Sequence, residues 1–369
     1  MSFKKKSLPI NELVPGMISA SNITFEGRIL IAKNVCITEQ VIEKLKKNYI
    51  VDSVYIYINN PSIQDNSYET DITEKKQSYK QFKRLKGKST QELENTFNEF
   101  SSNLKDIFDD ISNLKVPKID SIRIFSKRIQ REIKSTGIVI KNIVFFGSKG
   151  DPIYRHSINV SAISYILGKW LNFSEKELNL LTYSAIFHDF GKIQLSNELI
   201  NKYPNLVSSE HEIYKSHVVL GYNFVKQIPY LNFSVSYGVL MHHENMDGSG
   251  YPLGIKEDKI HKFAKVIAIA DLFDNISSNR YIKKPNGPFE TLKFIQQEGL
   301  GKLNCEYCNV FLNHIINYYM GENVILNDNK SFKILKIDIN NLTRPLLFGD
   351  NGFLDLKNEK NLYVKKLVL

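Results

Sequence analysis

Residues 242–252 read HHENMDGSGYP. Two adjacent histidines are followed by Glu244, Asp247 and the run Gly248-Ser249-Gly250-Tyr251-Pro252. The chemistry of that stretch depends on what else could meet the two imidazoles. The chain has eight histidines, at 156, 188, 211, 217, 242, 243, 261 and 314, all beyond residue 150. His156 lies in YRHSINV, His188 in FHDFGK and His217 in KSHVVLG. Two acids stand in apolar surroundings: Asp189 after LLTYSAIF, and Asp271 within VIAIADLFDNI. A carboxylate among such neighbours is costly to bury unless a cation pairs with it. A lysine, an arginine or a metal would serve, and with five histidines in suggestive contexts a metal cluster is the simplest solution. Imidazole and carboxylate donors together suit iron, manganese, zinc, cobalt or nickel.

Adjacent ligands need an account. Neighbouring side chains on a helix point about 100° apart. His188-Asp189 and His242-His243 would therefore splay toward two ions, or converge on one at a helix end. A carboxylate can bridge two ions, and Asp189 is the natural bridge. Two ions about 3.5–4 Å apart would clamp the attacking and leaving oxygens of a phosphate ester and acidify a shared water. Lys192, four residues beyond His188, is placed to pair with a phosphate oxygen. His211, His261 and His314 lack such contexts and read as ordinary surface or core residues. Gly248, Gly250 and Pro252 taken alone suit a turn; the combination is what points to chemistry.

The elements that must position these residues fall in blocks. The chain has 369 residues, enough for two or three domains. From Ser7 to about Asn60, short apolar runs separated by Pro15-Gly16 and Glu26-Gly27 read as strands. Thr38 to Asn48 reads as a helix between them. Pro61 to about Lys88 is polar and reads as a linker. Thr90 to Leu114 has a helical period, Pro117 interrupts it, and a second helical run follows from Ile119 to Phe146. From Asp151 to Met320 the pattern is helical, with capping boxes expected at Ser174/Glu177 and Ser209/Glu212. The tail from Val324 turns β-like, with Asp350-Asn351-Gly352 as a hairpin turn. The boundaries expected are 1–62 for a β-rich module, 63–117 for a linker and connecting helix, 118–321 for a catalytic domain and 322–369 for the β-like tail.

Composition narrows the partners. Lys and Arg exceed Asp and Glu by 49 to 39, a formal charge of +10, which favours anionic partners without choosing among them. No apolar run is long enough to span a bilayer. The opening MSFKKKSLPI lacks the apolar core of a signal peptide. Cys36, Cys305 and Cys308 form no disulfide framework, and the Cys305/Cys308 pair lacks the second pair a zinc site wants. A cytoplasmic location, with no membrane and no nucleic acid polymer as partner, is expected.

His188-Asp189 with Gly191-Lys192 resembles the HD superfamily of metal-dependent phosphohydrolases. His242-His243-Glu244 with Asp247-Gly248-Ser249-Gly250-Tyr251-Pro252 resembles the signature of its HD-GYP branch. His156 with Asn159-Val160, His217 with Gly221, and Ala270-Asp271-Leu272-Phe273-Asp274 followed by Arg280 are similar too. The likeness runs from about Lys118 to Met320, and the N-terminal module resembles a small domain often attached to this branch.

The resemblance implies a mainly α protein, with an all-helical HD-type catalytic domain beside the small β-rich module and the short β-like tail. It implies hydrolysis of cyclic di-GMP to pGpG, GMP or both, with two divalent ions, iron or manganese. His156, His188, Asp189 and Asp271 would hold one ion; Asp189, His217, His242 and His243 would hold the second. Asp189 and Lys192 would be catalytic, Lys192 as the phosphate or leaving-group residue. Gly250, Tyr251, Pro252 and Arg280 would meet the nucleotide. A homodimer or docking contact through the N-terminal module is the expected assembly. The alternatives are a silent cyclic-dinucleotide-binding module and an HD phosphohydrolase of another cyclic nucleotide. Three positions depart from the family pattern: Val218 stands where proline is frequent, Asn275 where alanine is frequent, and Pro152 where some members carry a glutamate ligand for a third metal. Asp151, beside Pro152, is the candidate substitute.

Overall fold

The structure, a computed structural model, describes residues 90–112, 119–133, 136–148, 150–229, 231–278, 287–350 and 352–368, with shorter stretches of the first 58 residues. The chain divides into two units, Met1–Leu85 and Lys86–Leu369. The expected linker and most of the expected Thr38–Asn48 helix lie outside the described residues, as do Pro117 and Arg280.

In the first unit, β1 (Lys4–Pro9) pairs antiparallel with β4 (Ser53–Ile58), Lys4 opposite Ile58 and Pro9 opposite Ser53. β2 (Ile23–Phe25) and β3 (Arg28–Ile31) form a hairpin. Val54 and Ile56 of β4 are buried while Tyr55 between them is 53% exposed, the alternation of a half-buried strand. Leu8, Leu13, Ile23, Ile37, Ile42 and Leu45 complete this small core.

The second unit is helical. α1 (Thr90–Ser112) buries Leu93, Phe97, Phe100, Leu104, Phe108 and Ile111, one face at three- and four-residue spacing. The run expected to continue from Ile119 to Phe146 is two helices, α2 (Ile119–Glu132) and α3 (Thr136–Phe146). The break falls between Glu132 and Thr136, and α3 opens on Thr136-Gly137, residue types with weak helix propensity. α4 (Tyr154–Trp170), α5 (Glu175–Phe187), α6 (Asn197–Lys202), α7 (Ser208–Lys215), α8 (His217–Val225), α9 (Phe233–Met241), α10 (Lys262–Ser277), α11 (Pro288–Glu298) and α12 (Cys305–Tyr319) follow.

α4 and α10 pack together at the centre, buried nearly all round, and α4 also packs on α5 and α1. A helix without a solvent face has no polar stripe. The polar residues of these two helices are therefore core residues, and they carry part of the site.

Ser174 and Glu177 make the expected capping box at the head of α5. The second expected box does not form. The N–H of Val207 donates to Glu210 at 2.9 Å, Lys202 holds the same carboxylate, and Glu212 instead pairs with Lys215. α7 thus starts ahead of Ser209. Cys305 is exposed and Cys308 buried on α12, both free, and burial pushes the Cys308 thiol up to about 12.

The tail forms a five-stranded antiparallel sheet of β5 (Asn323–Leu326), β6 (Ser331–Lys336), β7 (Leu346–Gly349), β8 (Gly352–Asp355) and β9 (Val364–Leu367), in the order β8-β7-β6-β5-β9. Gly349 lies opposite Gly352 at the expected hairpin, whose Asn351 lies outside the described residues. Val324, Leu326, Ile334, Leu347, Val364 and Leu367 join the same core as the helices. Among the described residues, no helix is long and apolar enough to cross a membrane.

Candidate metal centre

Both adjacent pairs stand where a helix stops. His188 caps the C-terminus of α5, and a 3₁₀ turn over Phe190–Gln194 follows Asp189. His242 caps the C-terminus of α9, with His243 in the turn beyond. Leaving the helix lets successive side chains converge. His217 opens α8, His156 lies in the first turn of α4, and Asp271 lies on α10.

Two glycines let these pieces approach. A Cβ at Gly191 would lie 2.0 Å from the His217 carbonyl oxygen and 2.7 Å from the Gly221 nitrogen. The 3₁₀ turn thus rests directly on the backbone of α8. A Cβ at Gly250 would meet the Asn245 nitrogen at 2.3 Å and the His243 oxygen at 2.5 Å. Glu244, buried, accepts N–H bonds from Leu253 at 2.6 Å and Ile255 at 3.2 Å, and the N–H of Tyr251 bonds the His243 carbonyl. The HHE acid therefore ties the glycine-rich loop back onto the histidines. The Tyr251–Pro252 bond is cis, and the Tyr251 ring stacks on His243 with centroids 4.8 Å apart.

The histidines share one orientation. Nδ1 of His188, His217 and His242 each bonds a carbonyl three residues back, those of Ala185, Tyr214 and Val239, at 2.8, 2.7 and 2.7 Å. A carbonyl accepts only, so Nδ1 donates and the Nε2 lone pair faces the site. His156 follows the same logic with a carboxylate, its Nδ1 lying 2.7 Å from Asp274 Oδ2.

These lone pairs gather around Asp189. Its Oδ2 is 3.4 Å from Nε2 of both His156 and His188; its Oδ1 is 3.2 Å from His217 Nε2 and 3.8 Å from His242 Nε2. His156 Nε2 is 2.9 Å from Asp271 Oδ1 and 3.2 Å from His188 Nε2. Ligand atoms of Asp189, His217, His242 and His243 all lie within 4.8 Å of one another, as do those of His156, His188 and Asp189. Asp189 belongs to both groups.

The donor set fits a divalent metal on two counts. Asp189 Oδ1, His217 Nε2 and His242 Nε2 are buried without a hydrogen-bond partner, and buried polar atoms are seldom left so. Nε2 lone pairs 3.2 Å apart repel unless a cation lies between them. Ligands at about 2.1 Å from a metal are spaced about 3.0–3.4 Å apart. Asp151, by contrast, accepts the N–H groups of Ile153, Tyr154 and Arg155 at the head of α4.

The electrostatics agree. Burial opposes the charge of Asp189, but Lys192 and the imidazoles of His188 and His217 outweigh it and hold the carboxyl well below the usual range. Asp271 is lowered too: burial opposes its charge, but the hydrogen bond and charge of His156 prevail. Burial lowers His217, takes His242 well below its ordinary value, and takes His243 to about 3. These three imidazoles stay neutral, the form that binds metal. Lys192, paired with Asp189, is raised despite its burial and stays cationic.

A cavity of about 430 Å3 opens beside the cluster, within the range of about 300–1,000 Å3 typical of small-ligand pockets. Lys192, His242, His243, Gly250, Tyr251 and Asp271 line it. Tyr203 and Tyr214, stacked 4.7 Å apart, line it as well, as do His211, Asn275, Glu298 and Lys302. Sequence reasoning assigned none of these last six to the pocket, and it dismissed His211. The departure at 275 acquires a meaning here: Asn275 Nδ2 donates to Asp271 Oδ1 at 2.8 Å. Asp274, one turn beyond Asp271 and equally out of place on an apolar helix, was a signal of the same kind. Val218 stands at the second position of α8, in the first turn, where proline is also tolerated.

A family model described as HD domain matches residues 132–303. A protein of Thermotoga maritima named cyclic di-GMP phosphodiesterase is 32% identical over 145 residues, 39% of each chain. A Borreliella burgdorferi protein named cyclic di-GMP phosphodiesterase PdeB is 24% identical over 343 residues, 88% of this chain and 90% of the relative. The chain thus spans about two fifths of the first relative's length and most of the second's. The solved structure of Bd1817, an HDG"Y"P protein of Bdellovibrio bacteriovorus, superposes with a TM-score of 0.53 at 18% identity, over 85% of this chain and all of that one; at that identity the likeness speaks to the fold. Residues 132–303 are thus similar to an HD domain, and the relatives the chain resembles are proteins named cyclic di-GMP phosphodiesterases.

Proposed function

We propose that the chain is a metal-dependent phosphodiesterase that hydrolyses cyclic di-GMP to pGpG, GMP or both. The observation that carries this reading is Asp189, buried between two sets of imidazoles whose Nε2 lone pairs face it, with its own Oδ1 lacking a hydrogen-bond partner. Two ions bound by His156, His188, Asp189 and Asp271, and by Asp189, His217, His242 and His243, would supply Lewis acidity and a nucleophile at neutral pH. Iron or manganese suits mixed imidazole and carboxylate donors.

The chain's own residues do the rest. Lys192 brings a fixed positive charge to the cavity wall, where it meets a phosphate oxygen and stabilises the negative charge that builds during attack. The faces of Tyr203, Tyr214 and Tyr251 offer stacking surface to a nucleobase. Glu244 and Gly250 keep Tyr251 against His243. The formal charge of +10 favours approach of a substrate with two phosphates. Arg280 is the further nucleotide contact in this reading. The first unit serves as a dimerisation or docking module, and the reaction belongs in the cytoplasm.

A substrate panel tests the reading: manganese-loaded protein with cyclic di-GMP, a mixed guanine–adenine cyclic dinucleotide, and cyclic GMP, products separated by chromatography. Fastest turnover of cyclic di-GMP, abolished in His188→Ala, is expected. Equal rates for wild type and His188→Ala would sink it, and a preference for another member of the panel would move the substrate assignment.

A further inference from the structure

A second buried polar cluster lies behind the metal centre and reaches α1. Arg155, on α4 next to His156, is only 4% exposed. Its guanidinium makes five hydrogen bonds, one for each donor. Nε donates to Asn159 Oδ1 at 3.0 Å. One terminal nitrogen donates to Glu94 Oε1 at 3.0 Å and Asn98 Oδ1 at 2.7 Å. The other donates to Glu94 Oε2 at 2.6 Å and Asn142 Oδ1 at 3.0 Å. The fork also lies over the Phe97 ring, 5.1 Å from its centroid. Glu94, Phe97 and Asn98 are on adjacent turns of α1, so this helix grips one arginine with two side chains and a ring face.

The chain of bonds continues inward. With its oxygen engaged by Arg155, the Asn159 amide is fixed in orientation, and its Nδ2 donates to Asp274 Oδ1 at 2.7 Å. The other oxygen of Asp274 accepts from Ser148 Oγ at 2.6 Å and faces His156 Nδ1 at 2.7 Å. Glu94 is thereby linked through Arg155, Asn159 and Asp274 to an imidazole whose Nε2 faces Asp189 and Asp271. Each link is oriented by the one before it. A carboxylate that holds the outer nitrogen of a ligating histidine fixes both its tautomer and its ring orientation.

We propose that Glu94 and Arg155 are positioning residues for the reaction, acting through Asn159 and Asp274 on His156. This rests on reading His156 as a metal ligand. The seat of α1 then sets how well the His156 side of the site holds its ion, and a shift of α1 that pulled Glu94 from Arg155 would weaken that side first. The His217, His242 and His243 side takes its orientation from the Tyr214 and Val239 carbonyls on other helices and is insulated from such a shift.

The test uses the full chain with Glu94→Gln, which keeps the side chain's shape, and Phe100→Leu, which loosens the same helix from its apolar face. Manganese binding is followed by calorimetry. In metal-free, 15N-histidine-labelled protein, the Nδ1–H resonance of His156 is followed by NMR, assigned by its loss in His156→Gln. In Glu94→Gln, one of two manganese affinities falls about 10- to 100-fold and the His156 resonance is lost, while Phe100→Leu at a matched drop in melting temperature keeps both. Wild-type affinities and a retained resonance in Glu94→Gln would overturn the proposal. Equal losses in Phe100→Leu would overturn it too, by reducing the effect to general loosening. If wild type binds no manganese, the metal reading fails separately, and the resonance decides: lost in Glu94→Gln, the positioning chain stands; retained, it falls.

Discussion

Gly191 offers the sharpest perturbation of the site without replacing a proposed ligand. Its added Cβ would sit 2.0 Å from the His217 carbonyl oxygen, where real contacts do not fall below 3.0 Å. The obstacle is backbone, so no side chain can swing away. Relief requires the 3₁₀ turn and the start of α8 to part by about 1 Å, the shortfall between those two distances. His217 travels with α8, and Asp189 sits just ahead of the turn. Metal–ligand distances tolerate only about 0.2 Å. Gly191→Ala should therefore lose the ion held with His217 and weaken less the ion held with His156, which shares Asp189 but takes His156 and Asp271 from α4 and α10, outside the clash. Overpacking of this kind costs about 1–3 kcal/mol of stability, so the protein should still fold. The assay is metal per chain by elemental analysis, with urea unfolding of the metal-free form. Gly301→Ala is the control, since a Cβ there meets nothing within 4 Å. Two ions bound to Gly191→Ala with wild-type affinity would refute the packing argument, as would an equal loss in Gly301→Ala.

Three further outcomes follow from the same geometry. His243 is held at about 3 in the folded chain, against about 6.5 when unfolded. The unfolded state thus takes up protons first on acidification, and the metal-free protein should lose stability steadily from about pH 6.5 toward 3. His242 and His217 push the same way, and a urea midpoint that is flat or rising on acidification would contradict this. Asn275→Ala removes the donor to Asp271 Oδ1; manganese affinity should fall about tenfold, and an unchanged binding isotherm would deny the asparagine that role. Glu244→Gln should cost about 1.5–3 kcal/mol and speed hydrogen exchange at the Leu253 amide while α4 is unaffected, and an unchanged Leu253 rate would show that the loop is held by other contacts.

Much of the candidate site was legible because its chemistry is local in sequence. His188-Asp189 and His242-His243 stand out as pairs, and Asp271 stands out because a carboxylate on an apolar helix demands a partner. The structure brings those residues together with His156 and His217. What could not be read depends on tertiary pairing. Arg155 meets Glu94 across 61 residues, and His156 meets Asp274 across 118; no spacing rule links them. α4 and α10 are buried nearly all round, so their polar residues had no amphipathic pattern against which to stand out. Asn275 was opaque because its meaning lies in one hydrogen bond to its own helix. The false capping box at Ser209 has a similar cause: Lys202 and the Val207 N–H engage Glu210, and the helix start follows them. The tail was readable as strands from alternation, but not its packing into the helical core.

The most direct measurement is anaerobic purification with manganese or iron supplied, a metal count per folded chain, and chromatography of cyclic di-GMP incubated with the same sample. The account predicts two ions per chain and conversion to pGpG or GMP, both lost when Asp189 is changed to asparagine. A folded protein that binds no metal and leaves cyclic di-GMP intact would contradict it.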